Sequence, residues 1–378
     1  MYYIIFLIGI FFSLLQDKKK VLFIIYTLIL LLLAYFRYGV GPDYFAYEYL
    51  FYRLNESPLK EVLYGLDQQE PLFRLLGSIM KFSGFSYQSY LIFIATINLV
   101  FIYKICKKYS VNPTLSLFLY FCFYYFVWTY SGLRQGMTMA IGAYYLLECI
   151  NQRKHLKFFM IVIILSFIHT SSLILIPLYV ISKMNFSKKQ LIYLSFLSIL
   201  VAVLPIGTLI SYLNNAPFIG RILPYTDIGY SINNIFDFQS IGRIVFLIIA
   251  FFYYDVFSKQ SELNKKMINM YVISLMIYFL FKFSELTAAR LSIYGKFLDV
   301  IILTNIYYFY KDKVNKAIYI GGLIILSTMY MFKELNSLKE RTGLESNYAL
   351  IVPYTNIFNK DKYHFQNRYE IYIKKGEY

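Results

Sequence analysis

Runs of about 20 mostly apolar residues, the length that a helix needs to cross a bilayer, recur along the whole chain. Short charged segments separate these runs. Of the 378 residues, 59% are apolar and only 15% are charged, against about 45–50% and about 25% in soluble proteins. The pattern predicts an all-α, polytopic integral membrane helix bundle and excludes a soluble globular protein.

About ten of these runs are predicted to span the membrane, namely 1–15, 21–36, 89–104, 114–130, 132–150, 190–213, 240–257, 267–282, 291–310 and 316–332. The stretch 156–182 is too long for one straight span, and a His-Thr-Ser-Ser sequence interrupts it at His169. Either it crosses once, or it enters and returns as a broken or re-entrant helical hairpin around His169. The hairpin places every Lys-rich loop inside and the amino end outside, as the positive-inside rule favours.

The net charge of +16 arises from 37 basic and 21 acidic side chains. In a membrane protein this excess is first explained by cytoplasmic loops, so no nucleic-acid partner is expected. Lysines fill the inward loops, whereas all arginines except Arg153 lie on the outer side or at outer span ends, Arg221 among them. Because a guanidinium binds carboxylates and phosphates bidentately, the outer arginines are candidate anion contacts. Alternatively, long outer segments contain more of every polar residue type.

The pattern divides the chain into a polytopic membrane domain, 1–333, and a polar extracytoplasmic tail, 334–378. The membrane domain contains an outer loop at 37–88, which opens with Arg37-Tyr38-Gly39-Val40-Gly41-Pro42-Asp43-Tyr44. Its glycines and proline break the helix and let backbone N–H groups approach a ligand, with Arg37 and Asp43 at the rim. The alternative is a turn in which Arg37 and Asp43 pair with each other.

Two further candidates stand at predicted helix starts. Glu70 precedes Pro71 and a predicted amphipathic helix over 71–82 that rests in the headgroup layer, where Glu70 is either a functional group or a capping charge. Arg134 and Gln135 enter a span directly after a very short loop. An ionisable group there is costly unless it is partnered, which favours a functional role. The alternatives for Arg134 are snorkelling to the headgroups or pairing with a carboxylate.

His169 and the pair Arg290 and Tyr294 complete the candidates. His169 lies at the break in the predicted hairpin and can exchange protons near neutral pH; the alternative is a hydrogen-bonded core residue. Arg290 and Tyr294 are four residues apart and share a helix face. Lys296 and Asp299 are predicted to form an internal ion pair that supports the bundle.

Several familiar motifs are missing from the sequence. It contains no phosphate-binding loop, no H-E-x-x-H pair and no G-x-S-x-G elbow, and the outer segments contain no D-x-D motif. We therefore expect neither a metal nor another cofactor. What remains is an arginine-lined outer cavity suited to an anionic amphiphile whose tail stays in the bilayer.

In their order and spacing, these residues resemble the EpsG family of polysaccharide-biosynthesis membrane proteins, relatives of the Wzy-type O-antigen and capsule polymerases. The resemblance covers most of 37–175, and the pair Arg290 and Tyr294 fits it more loosely. It rests on Arg37-Tyr38-Gly39-Val40-Gly41 with Asp43-Tyr44, Glu70-Pro71 with Phe73, Arg134-Gln135-Gly136, and His169 with Ser171.

The resemblance implies a multi-pass protein of the bacterial cytoplasmic membrane whose active site faces outside. Its implied substrate is an undecaprenyl-diphosphate-linked oligosaccharide in the lipid bilayer, and its implied further partners are a chain-length regulator and a flippase. It implies a polymerase that transfers a growing glycan from one carrier to the next carrier-linked repeat unit. The implied contacts to the diphosphate or the sugar are Arg134, Arg290, Arg37, Arg221, Gln135, Tyr44 and Tyr294. The candidate general bases are Glu70, Asp43 and His169, and the choice among these three stays open.

Two other classes of function stay open. A lipid-linked oligosaccharide flippase or other transporter would need polar residues at mid-membrane and usually shows internal repeats, whereas no convincing repeat is seen and the polar groups gather at one face. A glycan ligase, or an O-acyltransferase that uses His169, would perform a different transfer on a similar scaffold.

Overall fold

The computed structural model describes residues 1–15, 19–65, 69–204, 235–341 and 354–362. These residues form 16 α-helices, one π-helix and short 3-10 turns. The only β contact among them is an isolated antiparallel bridge between Arg37 and Asn356. The predicted all-α class is therefore confirmed for the described part of the chain.

Five helices precede the first long apolar helix. Two of them confirm the helices predicted at 1–15 and 21–36. The other three lie in the 37–88 segment, and the last of these is the helix predicted over 71–82. In chain order they are α1 Tyr2–Leu14, α2 Lys19–Tyr35, α3 Tyr44–Arg53, α4 Pro58–Tyr64 and α5 Pro71–Phe82. Proline in the first turn starts both α4 and α5, since its fixed φ suits that position and its missing N–H has no partner there anyway.

The next three helical segments follow the predicted spans closely. Helix α7 passes without a break into an 11-residue π-helix, so that the two together cover the predicted span at 114–130. The segments are α6 Tyr87–Tyr109, α7 Pro113–Tyr120 with the π-helix Phe121–Ser131, and α8 Leu133–Gln152. The remaining helices are α9 His155–Ser166, α10 Leu175–Ile181, α11 Lys188–Val203, α12 Phe238–Ser258, α13 Glu262–Leu280, α14 Glu285–Lys296, α15 Asp299–Ile306 and α16 Lys313–Arg341.

A helical hairpin occupies the stretch predicted at 156–182. Helix α9 ends at Ser166, and the chain resumes as a 3-10 turn at Thr170 before α10. The rings of Phe158, early in α9, and Tyr179, late in α10, stack with centroids 4.4 Å apart. The two helices therefore run antiparallel, as the hairpin alternative predicts, while its position in a membrane stays a prediction.

The prediction of one continuous helix over 291–310 is wrong. Helix α14 ends at Lys296, a turn at Phe297 and Leu298 follows, and α15 begins at Asp299. Lys296 Nζ lies 3.2 Å from Asp299 Oδ2 across this turn, and both side chains are buried. The ion pair predicted between them is present, and it connects the two sides of the break.

Three described helices are long and apolar enough to cross a membrane by length and composition: Tyr87–Tyr109, Phe238–Ser258 and Lys313–Leu338. Five shorter apolar segments accompany them, Tyr2–Leu14, Lys20–Tyr35, His155–Ser166, Thr170–Ile181 and Asp299–Phe309. The chain is thus a helical membrane protein with candidate transmembrane helices, and the number of spans and their orientation stay predictions. Part of the span predicted at 190–213 lies outside the described residues.

The helices form two compact units. One contains Met1–Tyr144, Ser166–Thr170 and Tyr307–Tyr378, and the other contains Tyr145–Leu165 and Ser171–Ile306. In the first unit, α16 packs on the π-helix, with the rings of Phe123 and Tyr330 centred 4.9 Å apart. In the second unit, α13 is buried along most of its length between α11, α12 and α14.

The described part of the predicted 334–378 tail packs within the first unit. Helix α16 runs through the predicted boundary at 334 and ends at Arg341. Further on, Tyr38 N donates to Thr355 O at 3.0 Å, and Ile357 N donates to Phe36 O at 3.0 Å. These two bonds fix the segment 354–362 to the start of the 37–88 segment.

Candidate active site

The site is built around Glu70, which stands immediately before α5. Its backbone is extended, and Pro71 begins the helix behind it. The Glu70 side chain does not cap its own helix and instead reaches α8 and the tip of the hairpin. The backbone N–H of Leu72 donates to Phe167 O at 2.9 Å, which holds the hairpin tip against the first turn of α5.

Glu70 accepts hydrogen bonds from three residues. One carboxylate oxygen, Oε2, receives Nη1 of Arg134. The other, Oε1, receives the backbone N–H of Thr170 at 3.0 Å and its hydroxyl at 3.3 Å, and lies 3.0 Å from Nδ1 of His169. Three predicted site residues, 64 and 99 positions apart along the chain, thus meet at one carboxylate.

Arg134 is held at the amino end of α8 on two sides. Its Nε donates to the hydroxyl of Tyr47, on α3, at 3.5 Å, and its guanidinium carbon lies 5.9 Å from the centre of the Phe73 ring. Within the described residues, no hydrogen bond or ion pair involves the second amino group, Nη2. The Arg134 side chain is 23% exposed, so an anion can reach the guanidinium.

The donors around Glu70 keep its carboxyl ionised. Burial raises the pKa of Glu70, but the hydrogen bond with His169, the charge of Arg134 and the N–H of Thr170 outweigh it and lower the pKa to about 2. An ionised carboxylate can only accept hydrogen bonds, so Nδ1 of His169 must carry the proton that they share. In the neutral imidazole, Nε2 is then the basic nitrogen.

A second ion pair fixes the helix that follows Glu70. Arg74, one turn into α5, contacts Glu61 of α4 at 3.0 Å, and both side chains are buried. The other oxygen of Glu61 receives the backbone N–H and the side-chain amide of Asn55, each at 2.8 Å. Buried charges that are paired and hydrogen-bonded in this way resist rearrangement. The pair therefore positions α5 and, with it, Glu70.

Arg37 is placed differently from the rim position predicted from the sequence. It is 2% exposed, and its Nη1 donates to the carbonyl oxygens of Val40 at 2.9 Å and Tyr130 at 2.7 Å. Its guanidinium carbon lies 4.6 Å from the centre of the Tyr130 ring. Gly41, with φ of 111°, completes this turn in a conformation that favours glycine. These contacts tie the turn to the end of the π-helix.

Glu70, Arg134, His169, Thr170 and Tyr47 form one cluster. The other predicted residues of the 37–88 segment and α8 support this cluster or flank it. Tyr44 is buried, and its hydroxyl donates to Gln88 at 3.3 Å. Asp43 occupies the position before α3, and its carbonyl accepts the N–H of Tyr47 at 2.9 Å. Gln135, next to Arg134, is buried within α8.

The remaining candidates belong to the second unit or lie outside the described residues. Arg290 and Tyr294 both fall on α14, one turn apart, as their spacing predicts. The Tyr294 hydroxyl is 3.1 Å from the hydroxyl of Ser171. Arg221 lies in the stretch 205–234, which the structure does not describe.

Two members of the cluster escape sequence reasoning. Tyr47 is one of several aromatic residues in α3, and no local pattern distinguishes the one that contacts Arg134. Thr170 adjoins His169 in the sequence, but its backbone N–H donates to Glu70 only because the folded chain brings Glu70 close to it. Among the described residues, no group of three His, Cys, Asp or Glu side chains could hold a metal ion.

Fold and site together define a helical membrane protein with a carboxylate, a guanidinium and an imidazole gathered in one cluster. A model of the EpsG family matches residues 20–356, so the chain belongs to this family, which is associated with exopolysaccharide biosynthesis. The predicted family resemblance is thereby confirmed. No curated protein and no solved structure matches the chain.

Proposed function

We propose that this protein is a polysaccharide polymerase, a glycosyltransferase that joins undecaprenyl-diphosphate-linked oligosaccharide repeat units at the outer face of the bacterial cytoplasmic membrane. Family membership supports a role in polysaccharide biosynthesis. The observation that carries the finer proposal is the joint contact of Glu70 with Arg134 and His169. It brings an anion-binding group and a proton acceptor to one place, as transfer from a diphosphate carrier requires.

In the proposed reaction, a hydroxyl oxygen of the acceptor repeat unit attacks the anomeric carbon of the donor glycan. The bond between that carbon and the carrier's diphosphate oxygen breaks, and the diphosphate leaves with the electron pair. The hydroxyl proton passes to Nε2 of His169, which is buried in this structure and would have to be uncovered when the substrate binds. The products are a longer carrier-linked glycan and a free carrier diphosphate.

Arg134 would stabilise the negative charge that develops on the departing diphosphate. Its side chain is 23% exposed, so its Nη2 group can donate to the diphosphate. A preorganised donor of this kind typically contributes about 2.7–4 kcal/mol of transition-state stabilisation. Glu70 neutralises part of its charge. Arg290, on α14 of the second unit, is a separate anion contact that the family resemblance implies.

Among the candidate bases, the geometry favours His169. Glu70 has a pKa of about 2, far below neutral pH, and a general base works best when its pKa lies near the operating pH. Glu70 is better suited to a positioning role, in which it fixes the ring of His169 with Nε2 as acceptor. The buried Arg37 is likewise better suited to support the turn at 37–44, and Asp43 stays the alternative base.

The test is a reconstituted reaction. Purified protein in liposomes receives a defined lipid-linked repeat unit, and the products are separated by length. We expect a ladder of products from the parent. Arg134→Lys keeps the charge but loses the planar fork, so the rate should fall roughly a hundredfold, whereas Arg53→Lys, at an exposed arginine of α3, should leave it unchanged.

His169→Gln separately tests proton transfer. We expect a loss of about 100- to 10,000-fold in turnover, the range typical of general base catalysis, at a membrane abundance equal to that of the parent. A parental rate in His169→Gln would refute the assignment of the base. A parent that moves the glycan to a different acceptor without lengthening it would be a ligase, and one that only transports the unit would be a flippase.

A further inference from the structure

Helix α3 carries a face of aromatic and acidic side chains next to the cluster. Tyr44, Glu48 and Tyr52 are spaced four residues apart, so they lie along one side of the helix. Tyr44 is buried at one end of this row, Glu48 is half-buried, and Tyr52 is 53% exposed at the other end. The row therefore leads from the interior of the first unit to its surface.

Glu48 is a desolvated carboxylate without donors of its own. Burial raises its pKa, and the positive charge of Lys360 offsets part of this effect. Within the described residues, Glu48 has Lys360 as its charged neighbour and no hydrogen-bond donor. Partial burial lowers the local dielectric and so strengthens any hydrogen bond that this carboxylate accepts. It is suited to a ligand that offers several hydroxyl groups.

Burial and the charge of Glu48 raise the pKa of Tyr38 and Tyr44, so both phenol groups lie near this carboxylate. The rings of Tyr38 and Tyr44 are centred 5.5 Å apart, and those of Tyr44 and Phe45 are 5.1 Å apart. The ammonium group of Lys360, from the segment 354–362, lies 5.2 Å from the centre of the Tyr38 ring. Rings offer flat apolar faces, and tyrosine adds a hydroxyl at the edge. Rings beside a polar group that fixes orientation are the composition expected of a small-molecule site.

The position of this face relates it to the cluster. Tyr47, which receives the hydrogen bond from Arg134, directly precedes Glu48. Consecutive residues of an α-helix point about 100° apart around its axis. The cluster and the aromatic face therefore occupy adjacent sides of the same short helix, so one extended ligand can contact both.

We infer that Tyr38, Glu48, Tyr52 and Lys360 form a saccharide-binding subsite that holds the sugar part of the lipid-linked substrate. Glu48 accepts hydrogen bonds from sugar hydroxyls, the tyrosine rings contact the apolar faces of the sugar rings, and Lys360 donates to oxygen atoms at the rim. The identity of the saccharide as substrate rests on the proposed function.

The test measures binding without catalysis. The probe is a carrier-free oligosaccharide released by partial acid hydrolysis from the exopolysaccharide of the producing bacterium. Its affinity for the purified full chain in detergent is measured by titration calorimetry. Because Tyr52 is exposed, Tyr52→Ala should fold normally, and a melting curve checks this for every variant.

We expect Glu48→Gln and Tyr52→Ala each to weaken binding about tenfold, which corresponds to about 1.4 kcal/mol. Matched controls lie on the same segment. Glu56→Gln removes an exposed carboxylate and Tyr64→Ala an exposed ring, and both should bind like the parent. In the ladder assay, the two test variants should raise KM for the lipid-linked unit about tenfold and leave kcat within twofold.

The outcomes separate this inference from the proposed function. Absence of binding by the parent, or parental affinity and KM in both test variants, would overturn the subsite even if the parent makes a ladder. Binding that weakens only in the test variants would support the subsite even if no ladder forms, and it would then refute only the polymerase assignment.

Discussion

Replacing Glu70 with Gln keeps the shape of the side chain but removes its charge and one acceptor oxygen. Arg134 then loses a charged partner, or His169 and Thr170 lose their acceptor, since the amide nitrogen cannot accept from either. Hydrogen bonds to charged groups contribute about 1.5–3 kcal/mol each. If one such bond positions the reacting groups, turnover in the ladder assay should fall roughly 10- to 150-fold.

Stability gives an independent measure of the same substitution. The pKa of Glu70 falls from its ordinary value of 4.5 to about 2, which at 1.36 kcal/mol per pH unit corresponds to about 3 kcal/mol in favour of the ionised form. Because the folded pKa is depressed, this contribution is complete above pH 4.5 and is lost as the pH falls towards 2. Glu70→Gln should therefore melt below the parent at pH 7, and the difference should shrink in acid.

The assay compares thermal melting in detergent at pH 7 and at pH 3 with turnover at pH 7. Glu56→Gln, which changes an exposed carboxylate in the same segment, should match the parent in both. If Glu70→Gln matched the parent in melting temperature and turnover, Glu70 would neither hold the cluster together nor orient His169. The positioning role would then be refuted.

Two further substitutions test the supports of the two units. In Gly136→Ala, the new Cβ would overlap the carbonyl oxygen of Trp128. We therefore expect a loss of about 1–3 kcal/mol in stability and, because α8 is displaced, lower turnover. The control in the melting and ladder assays is Gly321→Ala, where no atom lies within 4 Å of the new Cβ. Lys282→Met leaves two carboxylates that lie 2.6 and 2.8 Å from the Lys282 ammonium group without their cation, so the melting temperature should drop by the equivalent of about 3 kcal/mol. The same change at Lys266, in an exposed pair, should cost less than about 0.5 kcal/mol, and equal losses at the two lysines would contradict the reasoning.

The helices are the part of the fold that the sequence predicts best. Long apolar runs with charged ends predict α12 to within two residues at each end and α6 to within five, because the hydrophobic pattern sets their limits. The turn between Lys296 and Asp299 escapes such reasoning, since the run on either side of it is apolar, and the sequence predicts the ion pair but not the break. The π-helix escapes it too, because its residues carry the same apolar pattern as an α-helix.

Three members of the site are predictable from the sequence, but their roles are not. Glu70, Arg134 and His169 stand out as ionisable groups at helix starts or breaks. That Glu70 contacts both of the others depends on tertiary packing across 64 and 99 positions of sequence. Only this contact distinguishes a general base from a carboxylate that orients one. Arg37 stands out in the same way, yet its burial and its carbonyl partners appear only in the folded chain.

A catalytic cluster for lipid-linked glycans at the outer face must be accessible from outside the cell. Thr170 is exposed at the hairpin tip, whereas the native Cys106, Cys122 and Cys149 are buried, so they should give little background with a thiol reagent. Intact cells that produce Thr170→Cys are treated with a membrane-impermeant maleimide. The control is Lys107→Cys, in the last turn of α6, which is predicted to face the cytoplasm. We expect labelling of Thr170→Cys in intact cells and of Lys107→Cys only after permeabilisation; labelling of Thr170→Cys only after permeabilisation would contradict an outward-facing active site.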